Sequence, residues 1–240
     1  YIHLKVVPGA SKDSIKRAMA MANRVSINIE AATPSGLAEL SSTKDYNKDI
    51  LKRLSWINSL QNKSTTYPNS THTTQLIVGA NNESDREILS RMEKIYKKSD
   101  LKRTYFSAFT PIEETEFSNK KACSTDRTAK LYNADSLLND YHYSIKELVF
   151  DEDDKLSLEQ DPKILAAKNM EIFPVEINSA PFVELIRVPG IGVKSAREII
   201  SIRKKKPFSN KEQLRKLGVV IDRAEPYIKI SGEYQTTFDF

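Results

Sequence analysis

One cysteine, three histidines, one tryptophan and seven glycines are spread over 240 residues. No apolar run approaches the roughly 18 residues that a membrane-spanning helix needs, so no membrane span is expected. The single cysteine, Cys123, excludes an intrachain disulfide and fits a reducing cytoplasm, the expected location. His72 and His142 lack metal-ligand spacing, and no carboxylate–histidine cluster accompanies them, so no metal site is read. The acidic stretch "DEDDKLSLEQ" (151–160) lacks the alternation and the glycine of a calcium loop and reads as a solvated linker. The chain also opens at Tyr1 without methionine, directly in a strand-like run, which is expected of a fragment missing its N-terminal part.

Apolar residues make up 39% of the chain and charged residues 29%, a globular composition with material for a sizeable core. The formal net charge of +5 is compatible with a polyanionic partner.

Four strand candidates alternate with helix candidates. They are "IHLKVVP" (2–8), "RVSINIEAA" (24–32), "TQLIVGA" (74–80) and "KRTYFSAFTP" (102–111). This alternation predicts βα units and a parallel sheet. Ser84 and Glu87 have capping-box spacing for the third helix. "NKSTTYPNSTHT" (62–73) has the composition of a mobile βα loop.

A doubly wound sheet is covered on both faces, so its strands are apolar on both sides. Here one side is polar. Val25, Ile27 and Ile29 alternate with Ser26, Asn28 and Glu30; Ile2, Leu4 and Val6 with His3 and Lys5; Phe106 and Ala108 with Tyr105 and Ser107. Polar inward faces suit a barrel whose lumen holds a ligand, with the site at the C-terminal strand ends. Four strands do not close a normal barrel.

After Pro111 the pattern turns helical. "RTAKLYNADSLLNDYHY" is amphipathic, "SIKELVF" reads as a short helix, and Asp161–Pro162 predicts an N-cap with proline at the first helical position. Then "RVPGIGVKSAREII" (187–200) places a Gly-Ile-Gly turn between two apolar segments. Asn178 or Ser179 is expected to cap the first helix. Gly190 and Gly192 are read as allowing positive φ and close backbone approach. The N–H groups at Gly190, Ile191, Gly192 and Ser195, with the charges of Lys194 and Arg197, form a candidate phosphate grip. Such contacts hold a backbone without reading its sequence. "PFSNKEQLRKLGVVIDRAEPYIKI" looks like a degenerate second hairpin, with Ser209 and Glu212 at capping-box spacing.

The hairpin resembles the helix-hairpin-helix motif of DNA repair and recombination proteins. Together with "YIHLKVVPGAS", "QLIVGANNESDREIL", "KRTYFSAF", "LYNADSLL" and "DPKILAA", it makes the chain resemble the DNA modification/repair radical SAM protein family along nearly its whole length. The resemblance implies an α/β architecture: a partial radical-SAM-type (β/α) barrel over 1–150, a linker and helix over 151–172, an all-α tandem helix-hairpin-helix domain over 173–232, and a tail over 233–240. It implies an enzyme using S-adenosylmethionine and a [4Fe–4S] cluster on DNA, beside a uracil-DNA-glycosylase-like partner. It places Asn28, Glu30, Gln75, Gly79 and Ser107 near the S-adenosylmethionine. With Cys123 alone, the cluster's three thiolates are missing, so this chain is not expected to assemble it. The alternative is a non-catalytic, sequence-independent DNA-binding module with a barrel-derived scaffold.

Overall fold

The computed structural model describes residues 1–63 and 70–231. It forms two compact units, Tyr1–Asp135 with Phe150–Leu158, and Ser136–Val149 with the chain from Glu159 onward. The acidic stretch read as a linker therefore belongs in large part to the first unit. There Leu156 N–H donates to Asp85, Arg86 pairs with Asp154, and the Asp151 carboxylate accepts N–H groups from Asp153 and Lys155.

The first unit is built on β1 (His3–Lys5), α1 (Lys12–Met21), β2 (Arg24–Ser26), α2 (Pro34–Leu40), α3 (Lys52–Lys63), β3 (Thr71–Val78), α4 (Asp85–Tyr96) and β4 (Leu101–Ala108). The strands pair in chain order, all parallel. Parallel crossovers share one hand, so sequential order puts the connecting helices on one face. The register sorts the side chains accordingly. Val25 pairs with His72 and Leu76 with Phe106 on the apolar face; Ser26 pairs with Thr73 and Ile77 with Ser107 on the other. Ile15 and Met19 of α1, Ile57 of α3, and Ile88, Leu89 and Met92 of α4 are buried with Val25, Ile27, Ile29, Leu76 and Val78. The second face is tied to itself across the strands. His3 Nε2 and Ser26 Oγ share a hydrogen bond of 2.9 Å, Arg24 donates to the Tyr105 hydroxyl at 3.2 Å, and Gln75 donates to Ser107 at 3.0 Å.

The one-sided polarity is thus a property of the sheet, but the closed barrel is not seen. Among the described residues β1 and β4 each have one neighbour, leaving an open four-stranded sheet.

Several local expectations shift. The sequence predicts loop through Thr73, yet Thr71–Thr73 open β3; residues 64–69 of that loop lie outside the described residues, as does the tail. "SIKELVF" supplies only a 3₁₀ turn, Ile145–Glu147. The Ser84–Glu87 capping box and the Asp161 cap form as read. The expected Ser209–Glu212 box is displaced by one residue to Asn210–Gln213, because the Asn210 side chain reaches the Gln213 N–H.

The second unit contains the end of α5 (Thr125–Asn139), then α6 (Pro162–Lys168), β5 (Val175–Glu176), α7 (Phe182–Leu185), α8 (Val193–Arg203), α9 (Lys211–Arg215), α10 (Ile221–Ala224) and β6 (Ile228–Lys229), which pairs parallel with β5. Its core joins Ile177, Leu185, Val188, Ile191, Ala196, Ile199, Leu214, Val219, Ala224 and Ile228. Asn178 caps no helix. Its amide instead clasps Phe208, donating to the carbonyl at 2.9 Å and accepting the N–H at 2.8 Å.

Candidate nucleic-acid interface

Val188-Pro189-Gly190-Ile191 closes on an Ile191 N–H to Val188 carbonyl bond of 3.1 Å. Proline second and glycine third is the composition of a type II turn, whose third residue takes positive φ. Gly190 has φ +85°. A Cβ there would stand 2.4 Å from the Val220 carbonyl oxygen, so this glycine is demanded twice. Gly192 differs from what the sequence reading expects. Its φ of −87° is available to any residue, and a Cβ on it would meet only the Tyr141 hydroxyl, at 3.8 Å. Nothing inside the described chain requires Gly192 to be glycine.

Gly192 caps α8 without a side chain. The N–H of Ala196 returns to the Gly192 carbonyl at 2.9 Å, whereas those of Gly192, Val193, Lys194 and Ser195 have no acceptor among the described residues. These are the orphan donors of a helix start, at the positive end of its dipole. The Lys194 side chain is 89% exposed, with Glu198 3.9 Å away as its nearest anionic partner. Arg197 is exposed, with its guanidinium 6.0 Å from the Phe182 ring centre. Of the other expected contacts, Ile191 offers no free donor, because its side chain is in the core and its N–H is spent on the Val188 carbonyl. Ser195 offers its N–H alone, its hydroxyl being turned inward to the Leu217 carbonyl at 2.8 Å.

The degenerate hairpin repeats the geometry 28 positions later, the difference between Gly190 and Gly218. Gly218 has φ +79°, and Val219 and Ala224 are buried like Ile191 and Ala196. The Ala224 N–H returns to the Val220 carbonyl as Ala196 does to Gly192. The chemistry is not repeated. Val220 stands at the Gly192 position and Asp222 at the Lys194 position. α10 has only four residues, too short to sum a useful dipole.

One neighbour of the turn was invisible to spacing. Lys163, in the first turn of α6, is only 8% exposed and donates to the Ile191 carbonyl at 2.8 Å. Its Nζ lies 4.3 Å from the Tyr141 ring centre. The available signal was a lysine beside a helix N-cap, where the dipole opposes a cation. Arg187 anchors the same region, donating to Glu147 at 2.8 Å and to the carbonyls of Tyr141 and His142, over the Tyr143 ring.

In the first unit, Glu30, Gln75 and Ser107 are brought together. Glu30 N–H donates to the Gln75 carbonyl at 3.1 Å, and the Gln75 amide reaches Ser107. Glu30 sits at φ +63°, uncommon for a residue with a side chain, and its carboxylate lies 3.5 Å from Lys44. Asn28 is buried on the polar side of the strand. Gly79 is set apart from these. It has φ +85°, and a Cβ on it would stand 2.7 Å from Cys123 Cβ, so close packing against that loop already explains the glycine. No group of three or more His, Cys, Asp or Glu among the described residues is arranged to hold a metal. With one cysteine in the chain, the residues present do not fit a [4Fe–4S] cluster.

Residues 172–220 match the family model of the helix-hairpin-helix motif. The match spans α7, the Gly-Ile-Gly turn, α8 and α9 and ends at Val220. Such motifs generally bind DNA. No match to this chain is found among curated proteins or among solved structures. No described helix is long and apolar enough to cross a membrane.

Proposed function

We propose that this protein docks on the phosphate backbone of DNA, without reading sequence, through the first hairpin. The observation that carries this reading is the row of N–H groups from Gly192 to Ser195 that have no acceptor among the described residues, beside exposed Lys194 and Arg197, inside a matched helix-hairpin-helix motif. N–H groups at a helix start hold an anionic oxygen by hydrogen bonds and by the dipole. Two flexible cations alongside add charge without demanding a base. Fluorescence anisotropy with short duplexes of unrelated sequence tests it. Similar affinity for each duplex is expected, with a marked loss in Gly192→Val. Equal binding by Gly192→Val would remove the turn from the contact.

A second reading places the first unit in a radical S-adenosylmethionine enzyme of DNA modification or repair, working with a uracil-DNA-glycosylase-like partner. What favours it is the sequential all-parallel sheet with a polar face and the αL backbone of Glu30, which bridges to Leu76 just beyond β2. Asn28, Glu30, Gln75 and Ser107 offer the amide, carboxylate and hydroxyl groups that ribose and an α-amino acid require, with Gly79 at the adjoining strand end. The cluster chemistry has no ligand set in this chain, so no reaction step is assigned to it. Equilibrium dialysis against S-adenosylmethionine tests this reading. Retention that falls in Asn28→Ala and Glu30→Ala supports it, and no retention by the folded wild type rejects it.

A further inference from the structure

Lys163 is an expensive feature to keep. A buried ammonium loses its hydration, and only good partners offset that loss. Among the described residues its carboxylate neighbour is Asp161, which is already engaged. Asp161 caps α6 through the N–H groups of Lys163 and Ile164, and it pairs with Arg223 at 2.8 Å. What Lys163 Nζ does hold is the Ile191 carbonyl, under the face of Tyr141.

A trans peptide is planar, with its carbonyl and the following N–H pointing in opposite directions. Drawing the Ile191 carbonyl toward Lys163 therefore turns the Gly192 N–H the other way. That N–H is the first of the four unpartnered donors at the start of α8.

We propose that Lys163 is a positioning residue for phosphate binding: its buried ammonium sets the Ile191–Gly192 peptide with the N–H outward and places a positive charge behind the turn. This rests on the reading that the first hairpin grips phosphate.

The groups facing Lys163 define how it titrates. Burial is the largest influence and pulls the ammonium down to about 7; Asp161 opposes this, and Arg223 and Arg187 reinforce it. Tyr141 contributes its ring, and its hydroxyl is held above the ordinary phenol range by burial. A bound phosphate favours the charged form, so DNA binding takes up a proton. As the pH rises through the lysine's range, the charge and the affinity are lost together.

The test uses the full chain and a short duplex at fixed ionic strength, from about pH 6 to about pH 9. Wild type should weaken several-fold toward alkaline pH. Lys163→Met should bind about tenfold more weakly at the acid end, as expected for a lost charge-assisted bond, with a flat profile. Lys163→Arg keeps a charge that does not titrate and should hold most of the affinity across the range. Calorimetry of wild type in buffers of different ionisation enthalpy should show proton uptake on binding near neutral pH, a readout that needs no variant. Circular dichroism at each pH confirms the fold. Wild type that binds without proton uptake, or Lys163→Met that matches it in affinity and profile, overturns the role of Lys163 and leaves the hairpin reading intact. Folded wild type that binds no duplex overturns the hairpin reading, and this proposal with it.

Discussion

The backbone N–H of Val220 donates to the carbonyl of Gly190 at 3.0 Å, so the turn of the second hairpin is bonded to the turn of the first. The degenerate copy thereby gains a role. It lacks the counterparts of Gly192 and Lys194 and the helix length for an anion, yet it braces the turn that has them. The same approach brings the Val220 carbonyl so near Gly190 that no side chain fits.

The two glycines of the turn should therefore part ways on substitution. Gly190→Ala imposes αL strain of about 1 to 2 kcal/mol before the clash with Val220 is counted. A clearly lowered thermal midpoint is expected. Gly192→Ala should cost only about 0.5 to 1 kcal/mol, from a poorer N-cap, because its backbone is extended and its surroundings open. Thermal unfolding of both variants decides it. Equal destabilisation would show that Gly192 also carries a fold constraint.

Salt should report the phosphate contacts. Each neutralised phosphate contributes about −0.9 to the slope of log affinity against log salt on duplex DNA. Lys194→Ala with Arg197→Ala should reduce the slope by about 2 while the thermal midpoint barely moves. An unchanged slope would place the cationic contact elsewhere, with Lys204, Lys205 and Lys206 the next exposed candidates.

His72 should make the first unit acid-sensitive. It is fully buried on β3, and neither ring nitrogen has a hydrogen-bond partner among the described residues. Burial pulls it from 6.5 down to about 4, against a smaller opposing effect of Asp100. A folded pKa below the unfolded one means the unfolded chain binds the proton first. Stability from neutral His72 is thus present above about pH 6.5 and lost as the pH falls toward about 4, on the order of 2 kcal/mol by pH 5. Urea titrations of wild type and His72→Leu at neutral and mildly acid pH should show a smaller acid loss in the variant. Parallel losses would mean that His72 does not drive the effect.

Asp85 should be the costliest charge to remove in the first unit. It is 1% exposed and accepts from Arg127 at 2.7 Å and from the Leu156 N–H at 2.9 Å. Asp85→Ala leaves Arg127 with the Glu83 carbonyl as its remaining partner and Leu156 without an acceptor, a loss of about 3 kcal/mol for one partner of a largely buried pair. Chemical denaturation measures it. Replacing Asp85 and Arg127 together should cost less than the sum of the single changes.

How far the molecule was legible depended on range. Ser84–Glu87, Asp161–Pro162 and Val188-Pro189-Gly190 were readable because each is closed by bonds within a few residues. The alternation in β2 and β4 was readable because side chains on a strand change face at every step. The Asn210 cap was missed by one position, since Ser209 and Asn210 both present a suitable acceptor. Thr71–Thr73 were missed because threonine and serine between strands look like loop until a neighbouring strand pairs with them.

The sequence alone determined the period of each element, the polar face of the sheet, and a turn able to carry positive φ beside a helix start. Those properties follow from backbone sterics and side-chain alternation, which act over a few bonds. Only the tertiary structure decided that Gly190 and not Gly192 is conformationally bound, that Val220 braces the turn, that Ser195 faces inward, and that Lys163 lies under Ile191. Each of these depends on groups 22 to 30 positions apart in the chain meeting after the core has closed. Burial then sets what a charge or a bare backbone group can do, and burial is a property of the packed chain rather than of any stretch of it.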